Sequence, residues 1–290
     1  MDKEQQRLAR LDDTYFSKEV GIPIFKMYIA LLYRLCVEER NQYDLLIGSG
    51  DSGAVMIYFA ELFYNAVGIP IPPKLILPVQ RFKIDGDDKS GKYDNNSLAY
   101  LVKGQIPNKF SKALFIDDEI GQANSASQCA KLIADNLAES QMRNRILFTI
   151  VADNHGFEWH HDIPPIAIQY YSFSRKNKGK NNAALRLLSN EEQEQLNQFT
   201  QPYLNQFYKN EEQAKRDGQT KRMNLLFNSM IKVPSNSTDE RPRFEDIPVE
   251  QFLDGGAHFI QFRSNIEDKI IALICEAVVE YKAGKIVPTF

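Results

Sequence analysis

At 290 residues the chain is long enough for one large domain or for a core domain with an appendage, and a hydrophobic share of 43% can bury a sizeable core. The 35 Lys and Arg against 38 Asp and Glu leave a formal net charge of -3 and a pI near 5.9, which gives no basis for nucleic acid or an acidic membrane as a partner. Cys36, Cys129 and Cys275 are scattered and form no CxxC pair, which argues against a disulfide framework and a zinc site. No apolar run approaches the ~20 residues of a membrane span. The polar stretch Met1 to Arg7 has none of the apolar character of a signal peptide, so the expected location is the cytoplasm.

In chain order, residues 1–12 read as a polar helix. Ile22 to Glu39 predicts a second, with Ile24, Met27, Tyr28, Leu31, Leu32 and Leu35 at helical spacing. Asp44-Leu45-Leu46-Ile47 is a short apolar run stopped by Gly48, the pattern of a strand buried on both faces. Ala54 to Val67 predicts a helix ended by Gly68 and Pro70. Leu75 to Val79 predicts a second strand. Lys83 to Lys109, rich in Asp, Gly, Ser, Lys and Asn, has the length and polarity of a mobile functional loop or of a disordered segment. Ala113 to Ile116 predicts a third strand, with a helix from Ser125 to about Glu139, and Ile146 to Val151 and Ile166 to Tyr170 predict a fourth and a fifth.

Strands alternating with helices predict an α/β domain over residues 1–175: a doubly wound, mostly parallel five-stranded sheet with a helical N-terminal lead-in. From about Arg175 the character changes. Asn177-Lys178-Gly179-Lys180-Asn181-Asn182 is linker-like, and residues 176–290 predict a mainly helical C-terminal extension. Ser189 to Glu192 fits a capping box, Phe199, Tyr203, Phe207 and Tyr208 give one helix an apolar face, and Ile266 to Tyr281 predicts a final helix closed by Gly284. Ligands of parallel sheets bind beyond the carboxyl ends of the strands. Here those ends are Gly48 to Gly53, Asp117 to Ser125 and Asp153 to Trp159.

Ala113-Leu114-Phe115-Ile116-Asp117-Asp118-Glu119-Ile120-Gly121-Gln122-Ala123-Asn124-Ser125 carries the most chemistry. A buried strand delivers two adjacent carboxylates to its end, and a short loop of small and polar residues opens into a helix. Backbone N–H groups and a helix N-terminus suit a phosphate, and the carboxylates can accept from sugar hydroxyls. Upstream, Ser49-Gly50-Asp51-Ser52-Gly53 is again a glycine-rich turn between strand and helix, where glycines permit close backbone approach.

These two motifs, in this order and spacing, resemble the type I phosphoribosyltransferases over roughly residues 20–175. The resemblance implies that Asp117 and Asp118 contact the ribose hydroxyls of phosphoribosyl pyrophosphate. It implies that Ile120, Gly121, Gln122, Ala123, Asn124 and Ser125 wrap its 5′-phosphate, and that Ser49, Gly50, Asp51, Ser52 and Gly53 bind pyrophosphate. Gly121-Gln122 stands where the family has small or hydroxyl residues, and Ala123 where it has glycine. The family's flexible basic loop would correspond to the segment with Arg81, Lys83, Lys89, Lys92 and Tyr93, of which Lys83, Lys92 and Tyr93 are the catalytic candidates. The family's base-stacking hood would correspond to Ala152 to Asp162, with Phe157 or Trp159 stacking and Asp162 accepting from the base edge. Mg2+ is the implied cofactor, carried by the substrate with Asp117 and Asp118 as the protein oxygens nearest it, and no metal is held by protein alone.

The implied reaction transfers phosphoribose to a small nitrogen acceptor, nucleobase-like or other. The alternative is a non-catalytic protein that senses phosphoribosyl pyrophosphate or a nucleotide and signals through its C-terminal helices. For the extension, capping of the site, homodimer formation and binding of another protein all stay open. Gly50-Asp51-Ser52-Gly53 copies the nucleophile motif of chymotrypsin-like proteases, but the first histidine is His155, and the alternating strands and helices contradict an all-β fold.

Overall fold

The computed structural model describes residues 18–77, 106–107, 110–120, 124–137, 144–154, 163–173, 187–207, 226 and 257–288. Five helices and five strands lie among them: α1 (Lys18–Tyr33), β1 (Leu45–Ser49), α2 (Gly50–Val67), β2 (Lys74–Leu77), β3 (Lys112–Ile120), α3 (Asn124–Asp135), β4 (Ile146–Asn154), β5 (Ile166–Ser172), α4 (Asn190–Phe207) and α5 (Ala257–Lys282). The strands form one sheet in the order β2-β1-β3-β4-β5, every neighbouring pair parallel. This is the doubly wound α/β class that the strand–helix alternation predicts.

Both faces of the sheet are covered, because successive side chains of a strand point to opposite sides. Leu45 and Ile47 of β1, Ala113 and Phe115 of β3, and Phe148 and Ile150 of β4 pack with Ala126, Cys129, Ala130 and Ile133 of α3. Leu46, Leu114, Ile116 and Val151 face the other way, into a core with α1, α2, α4 and α5. All five residues of β1 are buried, as its uninterrupted apolar run requires.

Helix ends follow local chemistry. α2 stops at Gly68, whose φ of 72° is the left-handed conformation that glycine adopts without strain. α1 runs into a π-helical turn at Arg34–Glu38, which the apolar spacing alone reads as continued α-helix. α4 is started by a capping box: Ser189 N–H donates to Glu192 Oε2, and Glu192 N–H donates to Ser189 Oγ at 3.3 Å.

α5, at 26 residues, begins nine residues before the Ile266 to Tyr281 stretch that its apolar pattern suggests, and its buried stripe of Phe259, Phe262, Ile266, Ile270, Ile274 and Ala277 joins the core of α1 and α2. Polar contacts fix its direction. Tyr58 Oη of α2 donates to Glu267 at 2.7 Å, Lys26 Nζ of α1 donates to Glu276 at 2.8 Å and Glu280 at 2.9 Å, and Tyr281 Oη donates to Glu38 at 2.6 Å. Phe199 of α4 meets Phe259 edge-on with ring centroids 5.5 Å apart, and Lys269 pairs with Glu192. α5 thus completes the hydrophobic layer over this face of the sheet. No helix of the described residues is long and apolar enough to cross a membrane.

Candidate functional site

In the order β2-β1-β3-β4-β5 the chain winds one way from β1 to β2 and the other way from β3 to β5. The reversal opens a crevice at the carboxyl ends of β1 and β3, the place where open α/β sheets bind ligands. The glycine turn and the acid pair both fall there.

On the β1 side, the strand passes into α2 with no intervening loop. Ser49 is extended and Gly50 is already helical, so Gly50 to Gly53 form the first turn of α2 rather than the separate turn before a helix at Ala54 that the sequence suggests. The first N–H groups of a helix have no carbonyl four residues back to bond. Ser49 makes no side-chain capping bond to them. They present a partial positive charge at the crevice, the arrangement that holds a phosphate or diphosphate. The turn is this tight because Gly48 and Gly53 touch: a Cβ on Gly53 would stand 2.8 Å from the carbonyl carbon of Gly48 and 3.3 Å from the carbonyl oxygen of Ile116. The first turn of α2 therefore rests on β3 at the residue immediately before Asp117.

On the β3 side, strand and ladder run beyond the apolar stretch. Pairing with β4 resumes at Glu119↔Asp153 and Ile120↔Asn154, so the strand read over Ala113 to Ile116 runs on past the acid pair to Ile120. The register shifts on the way: three steps along β3 from Ile116 to Glu119 match two steps along β4 from Val151 to Asp153. One extra residue sits in β3, and Asp117 and Asp118 together oppose Ala152. This is a β-bulge, a device that re-aims side chains at sheet rims. It also shifts the phase of β3, since Ala113 and Phe115 pack toward α3 and Ile120 returns to the same side.

Asp117 and Asp118 are both buried, at 6% and 7% exposure. Asp117 Oδ1 accepts the N–H of Asp118 at 2.9 Å. Cys129 of α3 lies within reach of that charge: burial pushes its thiol well up, and the Asp117 carboxylate adds to the effect. Ser49, at 5% exposure, is the third buried polar residue of the crevice. Asn124 and Ser125 open α3, which places another helix N-terminus after the acid pair.

Lys83, Lys92, Tyr93, Gly121, Gln122, Ala123, Phe157, Trp159 and Asp162, with residues 1–12 and the linker-like run at 177–182, lie outside the described residues. Of the predicted site residues, the structure brings together Ser49, the first turn of α2, and the acid pair. Sequence reading missed the bulge and Ala152 opposite it, because a register shift belongs to two strands at once. Its one trace in the sequence is the end of the apolar run at Asp117-Asp118.

Among the described residues no group of three His, Cys, Asp or Glu side chains forms a metal position. The oxygens of Asp117 and Asp118 are hard donors of the kind magnesium takes, and they fit an ion whose other ligands come from a diphosphate. No protein-family model, curated protein or solved structure matches this chain.

Proposed function

We propose that the protein is a phosphoribosyltransferase that uses phosphoribosyl pyrophosphate and Mg2+ to transfer phosphoribose to a small nitrogen acceptor. The observation that carries this reading is the apposition of Gly53 to the Ile116 carbonyl. It sets an uncapped helix N-terminus beside a bulged acid pair at the switch point of the sheet. Such a crevice offers amides for a diphosphate and carboxylates for ribose hydroxyls, a combination that matches both halves of this substrate.

In this reading the first turn of α2 holds the pyrophosphate, the acid pair orients the ribose, and the stretch from Ile120 to Ser125 takes the 5′-phosphate at the start of α3. The acceptor nitrogen attacks the anomeric carbon as its bond to the pyrophosphate oxygen breaks. The bonding pair leaves with pyrophosphate, and the nitrogen gives up its proton to the departing pyrophosphate. The protein contributes orientation and charge stabilisation. Magnesium, when bound with substrate, supplies positive charge against the departing diphosphate. Lys83, Lys92 and Tyr93 belong to the segment that would cover the centre and exclude water, and Phe157 or Trp159 with Asp162 would receive a base.

A second reading, a non-catalytic sensor of phosphoribosyl pyrophosphate, is favoured by one observation, the Gly121-Gln122-Ala123 sequence where the family has a pair of small or hydroxyl residues and then glycine. Pyrophosphate release separates the two. The enzyme reading expects release from phosphoribosyl pyrophosphate that depends on one member of a panel of purine, pyrimidine and amine acceptors. Tight binding with no release across the whole panel would favour the sensor.

A further inference from the structure

The C-terminal half of α5 is apolar on both sides. From Ile270 to Val279 it reads Ile-Ile-Ala-Leu-Ile-Cys-Glu-Ala-Val-Val, with Glu276 its one charged residue. Ile270, Ile274 and Ala277 supply the inner face, buried in the core with α1 and α2. A helix that has packed one stripe against a core ordinarily turns a polar face to water. α5 instead turns Ala272, Cys275 and Val279 outward, all exposed, and Ile271 and Val278 flank them half-buried. Glu276 does not interrupt this outer face, because its carboxylate reaches aside to Lys26 Nζ at 2.8 Å.

Opposite charges bracket the outer face. Asp268 stands seven residues before Cys275 and Lys282 seven residues after it, and seven residues are close to two helical turns. All three therefore lie along one line of the helix, and all three are exposed. Lys282 Nζ also stands over the Tyr33 ring, 5.0 Å from its centroid. An acid and a base at equal distances from one residue make a surface that complements itself under a two-fold axis. Where two copies of α5 run antiparallel with Cys275 on the axis, Asp268 of each lies level with Lys282 of the other. Ile271 then lies level with the other copy's Val279, and Ala272 with its Val278. A parallel pair would set Asp268 against Asp268 and Lys282 against Lys282, and like charges brought together disfavour that arrangement.

We propose that the outer face of α5 seats a second copy of this chain, packed antiparallel about Cys275 in a two-fold dimer. Both copies contribute the same patch, so every contact occurs twice. The seam is apolar through its middle, and an Asp268–Lys282 ion pair closes each end. Its charges set the direction and register of the two helices, while the apolar residues between them leave water. The dimer does not depend on which ligand the crevice at β1 and β3 takes.

Sedimentation velocity over a concentration series should show a reversible monomer–dimer equilibrium for the wild type. Asp268→Lys sets like charges together at both ends of the seam and should raise the dissociation constant about tenfold or more, as should Lys282→Asp. The double variant Asp268→Lys/Lys282→Asp restores both pairs with their signs exchanged and should return to within about threefold of the wild type. Both positions are exposed, so circular dichroism at concentrations below the dissociation constant should show an unchanged monomer. Cys275 gives an independent readout that needs no charge variant, because Cys36 and Cys129 are buried. A short bis-maleimide, whose two double bonds each add one thiol, should link the wild type into a covalent dimer and leave Cys275→Ser unlinked. A wild type that sediments as a monomer up to millimolar concentration overturns the proposal, and the face is then covered by another protein or left bare. A dimer indifferent to the single charge reversals, or one that the double variant fails to restore, overturns it as well. So does a wild-type dimer in which Cys275 cannot be linked, since the axis then lies elsewhere.

Discussion

A methyl group built on Gly48 would stand 2.7 Å from the carbonyl oxygen of Gly53, closer than real side chains approach a backbone oxygen. The end of β1 and the first turn of α2 meet backbone to backbone, and this contact points the α2 amides at the crevice. Gly48→Ala and Gly53→Ala should each cost about 1–3 kcal/mol through overpacking, measured as a lower urea midpoint. Gly53→Ala also presses on the Ile116 carbonyl and so disturbs the acid pair. An unchanged urea midpoint for both variants would contradict the close approach.

The C-terminal helix is part of the core rather than an ornament on it. Ile270 is fully buried among residues of α1 and α2, and Ile270→Ala should cost about 2–5 kcal/mol by leaving a cavity. Val279 on the same helix is 65% exposed, and Val279→Ala should stay within about 0.5 kcal/mol of the wild type. Chemical denaturation of the two variants checks both. Equal, small losses would mean that α5 does not seal this face.

The tie between α4 and α5 should be sensitive to acid. Burial alone would raise the Glu192 carboxyl, but hydrogen bonds from Lys269 and from Ser189, with the Lys269 charge, outweigh it and hold the group below the ordinary carboxylate range. A carboxyl depressed in the folded state stabilises fully above its unfolded pKa, and that contribution is lost as pH falls through the folded value. Thermal stability followed from pH 6 down to pH 3 should therefore fall less steeply for Glu192→Gln than for the wild type in the acid limb. Parallel curves would show that the pair adds no acid-dependent stability.

Much of this architecture is legible in the residues. Leu45-Leu46-Ile47 and Leu114-Phe115-Ile116 announce buried strands, because burial on both faces removes the polar half of the usual alternation. Gly68 marks a helix end through its left-handed φ, and the Ser189–Glu192 capping box forms as its spacing predicts. The site is less legible for equally physical reasons. Asp117-Asp118-Glu119 has the composition of a loop, yet the ladder with β4 resumes at Glu119 after the bulge and the stretch stays in strand. Gly50 to Gly53 have the composition of a turn, yet the contact of Gly53 with Gly48 and Ile116 lets the helix begin at once. The strand order that brings the two motifs together is a property of the whole sheet, and no local pattern encodes it.

The most direct test of the central claim is calorimetric titration with phosphoribosyl pyrophosphate and Mg2+, carried out on the wild type and on the double variant Asp117→Asn/Asp118→Asn. The account predicts magnesium-dependent binding by the wild type that the double substitution abolishes while the fold, followed by circular dichroism, is retained. No heat of binding at millimolar ligand, or binding that the double variant preserves, would contradict the assignment of the crevice to this substrate.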